Sequence, residues 1–287
     1  MNNTATSIER TLTMGGDLIV NRLGYGAMRI TGKGIWGPPN DKEAAISVLR
    51  RAVELGVNFI DTADSYGPYV SEELIAEALY PYPEGLVIGT KGGLMRTGPD
   101  QWPINAHPDH LKKALEGSLK RLRLYRIDLY QLHRVDPVVP AEQSFEFLKQ
   151  ARHEGMIKHI GLSEVDVDMI KKAQEFFEVV SVQNMYSVDN RKWEHVLQYC
   201  KAHGIAFIPW FPLNAGKIAS QSKLQEIAEK HGATVHQVAL NWLFNHSDDI
   251  LLIPGTSNIT RLEENMQSIS LELTDDDIRE LNSIDPR

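Results

Sequence analysis

Four residues of this sequence have the types and order needed to protonate a carbonyl group: Asp61, Tyr66, Lys91 and His133. Asp61 closes an apolar run within Asn58-Phe59-Ile60-Asp61-Thr62-Ala63-Asp64-Ser65-Tyr66-Gly67, and Tyr66 follows in the ensuing loop. Lys91 closes Leu86-Val87-Ile88-Gly89-Thr90-Lys91, and His133 closes Ile127-Asp128-Leu129-Tyr130-Gln131-Leu132-His133. Charge at the end of successive buried strands is costly unless the charges meet one another or a ligand. An ordinary phenol, with a pKa near 10, is too weak an acid for efficient transfer at neutral pH. A cation against its oxygen stabilises phenolate, so Lys91 is expected to lower the Tyr66 pKa, with Asp61 holding the lysine charged. His133 can donate a second hydrogen bond to the carbonyl oxygen, where negative charge develops as hydride arrives. None of the four donates hydride, so an external cofactor is required. Singly, each has a plainer reading as a cap, a rim aromatic, a solvated strand end or a core-edge histidine. Their joint occurrence, in order and at three strand ends, favours the chemical reading.

To bring these residues together the chain must place its strand ends side by side. Apolar runs of strand length recur around 23–28, 57–61, 86–91, 127–133, 157–163, 179–183, 205–210 and 250–254. Between them lie helical patterns, among them Ala45-Val48-Leu49-Ala52-Val53 and Leu111-Leu115-Leu119-Leu122, with further helices expected over 71–79, 140–154, 166–177, 190–202, 223–230, 235–245, 261–267 and 275–283. Short strands joined by helices imply right-handed crossovers and a parallel sheet. Eight such units in about 250 residues predict an α/β fold of the (β/α)8 barrel type, with functional groups at the C-terminal strand ends. An open doubly wound sheet lacks the G-x-G-x-x-G turn after its first strand. The segment around Gly15-Gly16 reads as an N-terminal hairpin closing the bottom of the barrel. No linker or low-complexity stretch divides residues 1–287, which are read as a single domain.

A net charge of −8 argues against a general nucleic-acid or anionic-membrane binder, since both need an extended basic surface. The lone Cys200 cannot form an internal disulfide, and its spacing from Trp193, Val196 and Leu197 places it on a buried helix stripe. The first ten residues lack a signal-like apolar core, and Ile205 to Leu213, interrupted by two prolines, is too short to span a bilayer. The expectation is a cytoplasmic protein, monomeric or weakly homo-oligomeric, without a metal site.

The pattern resembles the aldo-keto reductases over essentially the whole chain. Its most specific parts are 58–67, 128–133, Gly161-Leu162-Ser163, Val182-Gln183-Asn184, and Ile253-Pro254-Gly255-Thr256-Ser257 through Glu264-Asn265. The resemblance implies that Asp61, Tyr66, Lys91 and His133 are the catalytic tetrad and that NADPH lies extended across the barrel mouth. It implies that Gly26, Ala27 and Met28 border the cofactor and that Ser163 and Gln183 hold the nicotinamide carboxamide. Trp210 would stack on the ring, Phe211-Pro212-Leu213 would follow the pyrophosphate, and Lys217 would be a cationic contact. Gly255, Thr256, Ser257 and Arg261 resemble the 2′-phosphate pocket, and Glu264 and Asn265 the adenine contacts. Two positions depart from the common pattern: Glu164 stands where many members have asparagine, and Gly255 where many have lysine. A lysine introduced at 255 is therefore expected to strengthen NADPH binding if the backbone tolerates it. Trp36 and Trp102, in loops after the first and third strands, are candidate substrate walls. The loop around Trp36 and the short stretch after Asn265 resemble the bacterial pyridoxal-reductase-like group, and imply an open pocket. The expected activity is reduction of small aldehydes, with ketones or pyridoxal as further substrates. The alternative is an NADPH-binding regulatory protein with little turnover, like channel β-subunits of similar sequence.

Overall fold

The computed structural model describes residues 10–213 and 222–285. The N-terminal hairpin is β1 (Thr11–Met14) paired antiparallel with β2 (Leu18–Asn21). Both turn glycines have positive φ, +56° at Gly15 and +79° at Gly16, a backbone that side chains resist. A Cβ on Gly15 would also lie 2.3 Å from the His159 ring. Met14, Leu18 and Val20 are buried in one cluster with Phe59, Val87, Leu129, Val180 and Leu251, which lie in or beside the barrel strands. The hairpin thus plugs the barrel with apolar side chains. Asp17 at its turn ties it to Lys158 at 2.9 Å and His159 at 2.7 Å.

Seven parallel strands follow one another around the sheet in chain order. They are β3 (Tyr25–Gly26), β4 (Phe59–Asp61), β5 (Val87–Gly92), β6 (Ile127–Leu132), β7 (Ile157–Ser163), β8 (Val179–Gln183) and β9 (Ala206–Phe207). The crossovers carry α1 (Lys42–Glu54), α2 (Val70–Leu79), α3 (Pro108–Leu122), α4 (Ala141–His153), α5 (Val167–Gln174) and α6 (Glu194–Ala202). After β9 come α7 (Ser222–Lys230), α8 (Val235–His246), α9 (Ile259–Gln267) and α10 (Asp275–Asn282). The eighth strand position closes the barrel by parallel bridges, Ile250 to Phe207 and Leu252 to Leu23. Leu252 N donates to Arg22 O and Gly24 N to Leu252 O, both at 2.8 Å. The buried Arg22 reinforces this seam, donating to the carbonyl oxygens of Ile250 at 3.2 Å and Phe244 at 2.6 Å.

Helix boundaries follow local chemistry. Asp41 caps α1 by accepting from Ala44 N at 2.9 Å, and Ala45, Val48, Leu49 and Ala52 form its buried stripe. Several boundaries differ from the sequence expectation, three of them for reasons visible in local contacts. Helix α6 begins at Glu194 because the Asn190 side chain accepts from Lys192 N, a turn that competes with helix. Helix α5 stops at Gln174, and Phe176 and Phe177 turn in to pack on Phe145, each with ring centroids 5.7 Å away. Ala27 and Met28 belong to a 3-10 turn rather than to the first strand. The isolated Cys200 is fully buried, and burial pushes its thiol up to about 12.

Candidate active site

Sheet register sets the site. Asp61 on β4 lies opposite Gly89, and Lys91 on β5 opposite Gln131 on β6. The Lys91 ammonium is fully buried and donates to Asp61 Oδ2 at 2.6 Å and to Thr62 O at 2.8 Å. Its third contact is the Tyr66 hydroxyl oxygen at 3.4 Å. Asp61 Oδ1 accepts from Gln131 Nε2 at 3.2 Å and Gln183 Nε2 at 2.9 Å, so both carboxylate oxygens are paired. His133 is buried just past β6, its ring edge-on to Tyr66 with centroids 5.9 Å apart and Nδ1 3.4 Å from Ser65 Oγ. The four residues meet at the C-terminal end of the sheet.

Electrostatics correct one expectation. Burial raises the Tyr66 phenol above its ordinary value; Lys91 opposes the rise without reversing it. The cation therefore limits a desolvation penalty and does not yield an acidic phenol. Burial pulls the Lys91 ammonium down, but Asp61 and Tyr66, by charge and hydrogen bond together, outweigh it and leave the lysine above its usual value. Burial, with Lys91 and Arg134 nearby, drives His133 well below the ordinary imidazole range, so its ring is neutral at pH 7. Behind Lys91, burial and the neighbouring Glu72 raise the Asp64 carboxyl well above the carboxylate range.

The other predicted residues fall into two groups. Trp210 is half-buried at the mouth, its indole N–H donating to Glu164 Oε1 at 2.7 Å, and that oxygen also accepts from Met185 N at 2.6 Å. Phe211 packs beside it with ring centroids 5.6 Å apart, followed by Pro212 and Leu213. Lys217 lies outside the described residues. Ser163 accepts from Arg134, and the Gln183 amide is committed to Asp61. Around the seam, Gly26 and Gly255 are stacked backbone to backbone: a Cβ on Gly255 would lie 2.5 Å from Gly26 O. The condition set on a lysine at 255, a backbone that tolerates a side chain, is therefore not met. Thr256 is buried, its carbonyl oxygen accepting from the Tyr25 hydroxyl at 2.5 Å, and Ser257 is exposed beside it. Asn258 caps α9 through Arg261 N at 3.0 Å, leaving the Arg261 guanidinium exposed. About one turn further, Glu264 is half-buried and Asn265 is buried.

Two arginines escaped sequence reading. Arg96 donates to backbone oxygens of three mouth loops: Gly34 at 2.8 Å, Ser65 at 3.0 Å, and Gln101 at 2.9 Å. Its guanidinium lies 3.6 Å from the Trp102 ring centroid and 5.7 Å from that of Trp36. Trp102 in turn meets Tyr66 edge-on at 6.3 Å, so the predicted walls are fixed relative to the phenol. Arg134, next to His133, donates from Nη1 to His133 O at 2.6 Å and Ser163 Oγ at 2.9 Å. Direct adjacency to a predicted strand-end residue was the available signal for Arg134; Arg96 carried none.

A closed parallel barrel with a buried Asp–Lys–Tyr–His cluster at its mouth is the architecture of a carbonyl oxidoreductase. A sequence model described as "Aldo/keto reductase family" matches residues 22–286, and the chain belongs to that family. It is 51% identical over 260 residues to an uncharacterized oxidoreductase of Schizosaccharomyces pombe, covering 90% of this chain and 85% of that protein. It is 42% identical over 271 residues to pyridoxine 4-dehydrogenase of Escherichia coli, covering 92% and 95% respectively. An aldo-keto reductase from Klebsiella pneumoniae, solved in complex with NADPH, shares the fold with a TM-score of 0.83 at 24% identity, covering 98% of this chain and 97% of that one.

Proposed function

We propose that the protein is an NADPH-dependent reductase of small aldehydes in which Tyr66 donates the proton. The observation that carries this reading is the Lys91 ammonium held between Asp61 and the Tyr66 oxygen inside a buried mouth. The phenol accepts from Lys91, which leaves its own proton for a carbonyl oxygen. His133, neutral and next to Tyr66, offers one N–H to the same oxygen; with Ser65 donating to Nδ1, we assign that proton to Nε2. These two donors stabilise the charge that develops on oxygen in the transition state. Asp61, satisfied by three donors, keeps Lys91 charged without itself reaching the substrate.

The mouth has the donor set for a phosphorylated dinucleotide. The guanidinium groups of Arg29, which borders Gly255, and of Arg261 are exposed with no ion pair among the described residues. Arg261 suits a 2′-phosphate by bidentate geometry. Thr256 and Ser257 border that pocket, Glu264 and Asn265 the adenine, and the Trp210 face the nicotinamide. NADPH, when bound, supplies the hydride. Trp36 and Trp102 form the outer wall for the carbonyl compound. The name of the E. coli relative makes pyridoxal the first specific aldehyde to test. The buried single thiol suits a cytoplasmic protein. Loss of NADPH absorbance on adding 4-nitrobenzaldehyde or pyridoxal tests the reading. NADPH binding without turnover of any carbonyl would replace it with the regulatory alternative.

A further inference from the structure

We propose that Arg134 recognises substrate, selecting aldehydes with an anionic oxygen beside the reacting carbonyl, and aromatic aldehydes with an ortho phenolate above all. The inference rests on the reductase reading and adds a substrate class to it.

Arginine carries five N–H donors in a rigid fork. Arg134 spends the two on Nη1, on His133 O and Ser163 Oγ. Nε and Nη2 have no hydrogen-bond partner among the described residues. The guanidinium is half-buried, close enough to Tyr66 for its charge to act on the phenol, and lies 5.6 Å from the centre of the Trp210 ring. Glu164 attracts it, but Oε1 of that carboxylate is already engaged by Trp210 and Met185. A partly desolvated cation with an unspent edge thus sits beside the proton donor. Losing solvation without a full set of partners is unfavourable, and an anionic oxygen on the substrate would repair it.

The tryptophans narrow the class. Trp210 presents a fixed indole on one side, and Trp102 is braced against Tyr66 on another. Flat walls suit a flat ring. An ortho oxygen on such a ring lies next to the aldehyde, so one molecule can reach Tyr66 and His133 with its carbonyl and Arg134 with its phenolate. The bookkeeping is simple. The carbonyl carbon receives hydride from bound NADPH, its oxygen takes the Tyr66 proton, and the phenolate keeps its charge on the guanidinium throughout.

The test compares kcat/KM for salicylaldehyde, 2-methoxybenzaldehyde, 4-hydroxybenzaldehyde and phenylglyoxylate, at a pH where the phenols are ionised. It uses the full chain as wild type, Arg134→Gln and Arg134→Lys, with NADPH dissociation constants measured alongside by tryptophan quenching. Wild type should prefer salicylaldehyde over its methyl ether by about tenfold or more, the scale of one charge-assisted contact. Moving the oxygen to the para position should lose most of that preference. In Arg134→Gln the ratio should fall to near one while NADPH affinity changes by less than about threefold; Arg134→Lys should keep part of it. A wild-type ratio near one, or one unchanged in Arg134→Gln, would overturn the proposal. Equal losses on all four compounds would make Arg134 a brace for His133 and Ser163, and collapse of NADPH affinity would make it a cofactor residue; either result also overturns it. Preference for phenylglyoxylate alone would replace the phenolate by a carboxylate and overturn the assigned class. Failure of wild type to reduce any aldehyde would defeat the reductase reading itself.

Discussion

The indole N–H of Trp210 reaches across the barrel mouth to Glu164, donating to Oε1 at 2.7 Å. The Glu164 carboxylate thus has a task in this chain: it orients the aromatic face expected to meet the nicotinamide. Glu164→Gln keeps a carbonyl oxygen that can accept from the same indole, so NADPH and NADH dissociation constants should stay within about threefold. Glu164→Ala should weaken both by about tenfold, because the stacking surface is common to the two cofactors. Fluorescence titration of each variant checks this, and a loss confined to NADPH would contradict it.

Tyr66→Phe should bind NADPH normally and lose at least about a hundredfold in turnover, the scale of general-acid catalysis. Stopped-flow measurement of the hydride step gives the comparison. Near-wild-type turnover would remove the phenol from the mechanism.

Lys91→Met should be inactive and also less stable. Asp61 would keep its two amide donors but lose its counter-charge in a buried site, a change of about 3–5 kcal/mol. Urea unfolding at pH 7 measures it. A variant as stable as wild type would show that the buried Asp61–Lys91 pair contributes nothing to stability.

Protonation states around the carbonyl should not change across neutral pH. Burial holds Tyr66 above its ordinary value of 10, the Asp61 charge sustains Lys91, and burial keeps His133 neutral to well below 6.5. Reduction needs the protonated phenol, so its rate falls only as pH rises through the elevated Tyr66 value. For benzaldehyde, which has no ionisable group, kcat/KM should be flat from about pH 7 to 9. A limb with its midpoint inside that interval would disprove this assignment of charges.

Arg261→Ala should raise the NADPH dissociation constant about ten- to hundredfold and leave that of NADH nearly unchanged. Gly255→Lys, in contrast, should not improve NADPH binding. Its Cβ would collide with Gly26 O, and the space just beyond is bordered by Arg29 Cγ, 3.7 Å from that Cβ position. Calorimetric titration of both variants separates the two effects. Parallel weakening of NADH in Arg261→Ala would show that the residue does not read the phosphate.

The meeting of Asp61, Tyr66, Lys91 and His133 is legible because each interrupts or follows an apolar run at the same end of its strand. Gln131 was legible in principle: it lies two residues before His133, on the same strand face, between Tyr130 and Leu132. Strand lengths were not. Only two residues of the expected first strand keep ladder pairing, because Ala27 and Met28 curl into a 3-10 turn; the last is reduced to bridges, and Pro254 has no N–H to donate. Arg96 had no signature, since its partners are backbone oxygens of its own loop and of two loops distant in sequence. The effect of burial on Tyr66 was likewise invisible, because spacing identifies a neighbouring cation but not how much water has been excluded.

The seam between Leu23 and Leu252 gives the barrel a directional assembly. Every other strand pairing joins neighbours in chain order, so the wall can grow one crossover at a time at modest loop-closure cost. Closure alone must wait for residue 252, and three backbone hydrogen bonds then hold the seam, at 2.8, 2.8 and 3.4 Å. Amides flanking it should exchange with solvent through a small opening of the cylinder, well before global unfolding. The staves next to that opening are those that carry Gly26 and Gly255, so a ligand bridging the two would act as a hoop around the barrel.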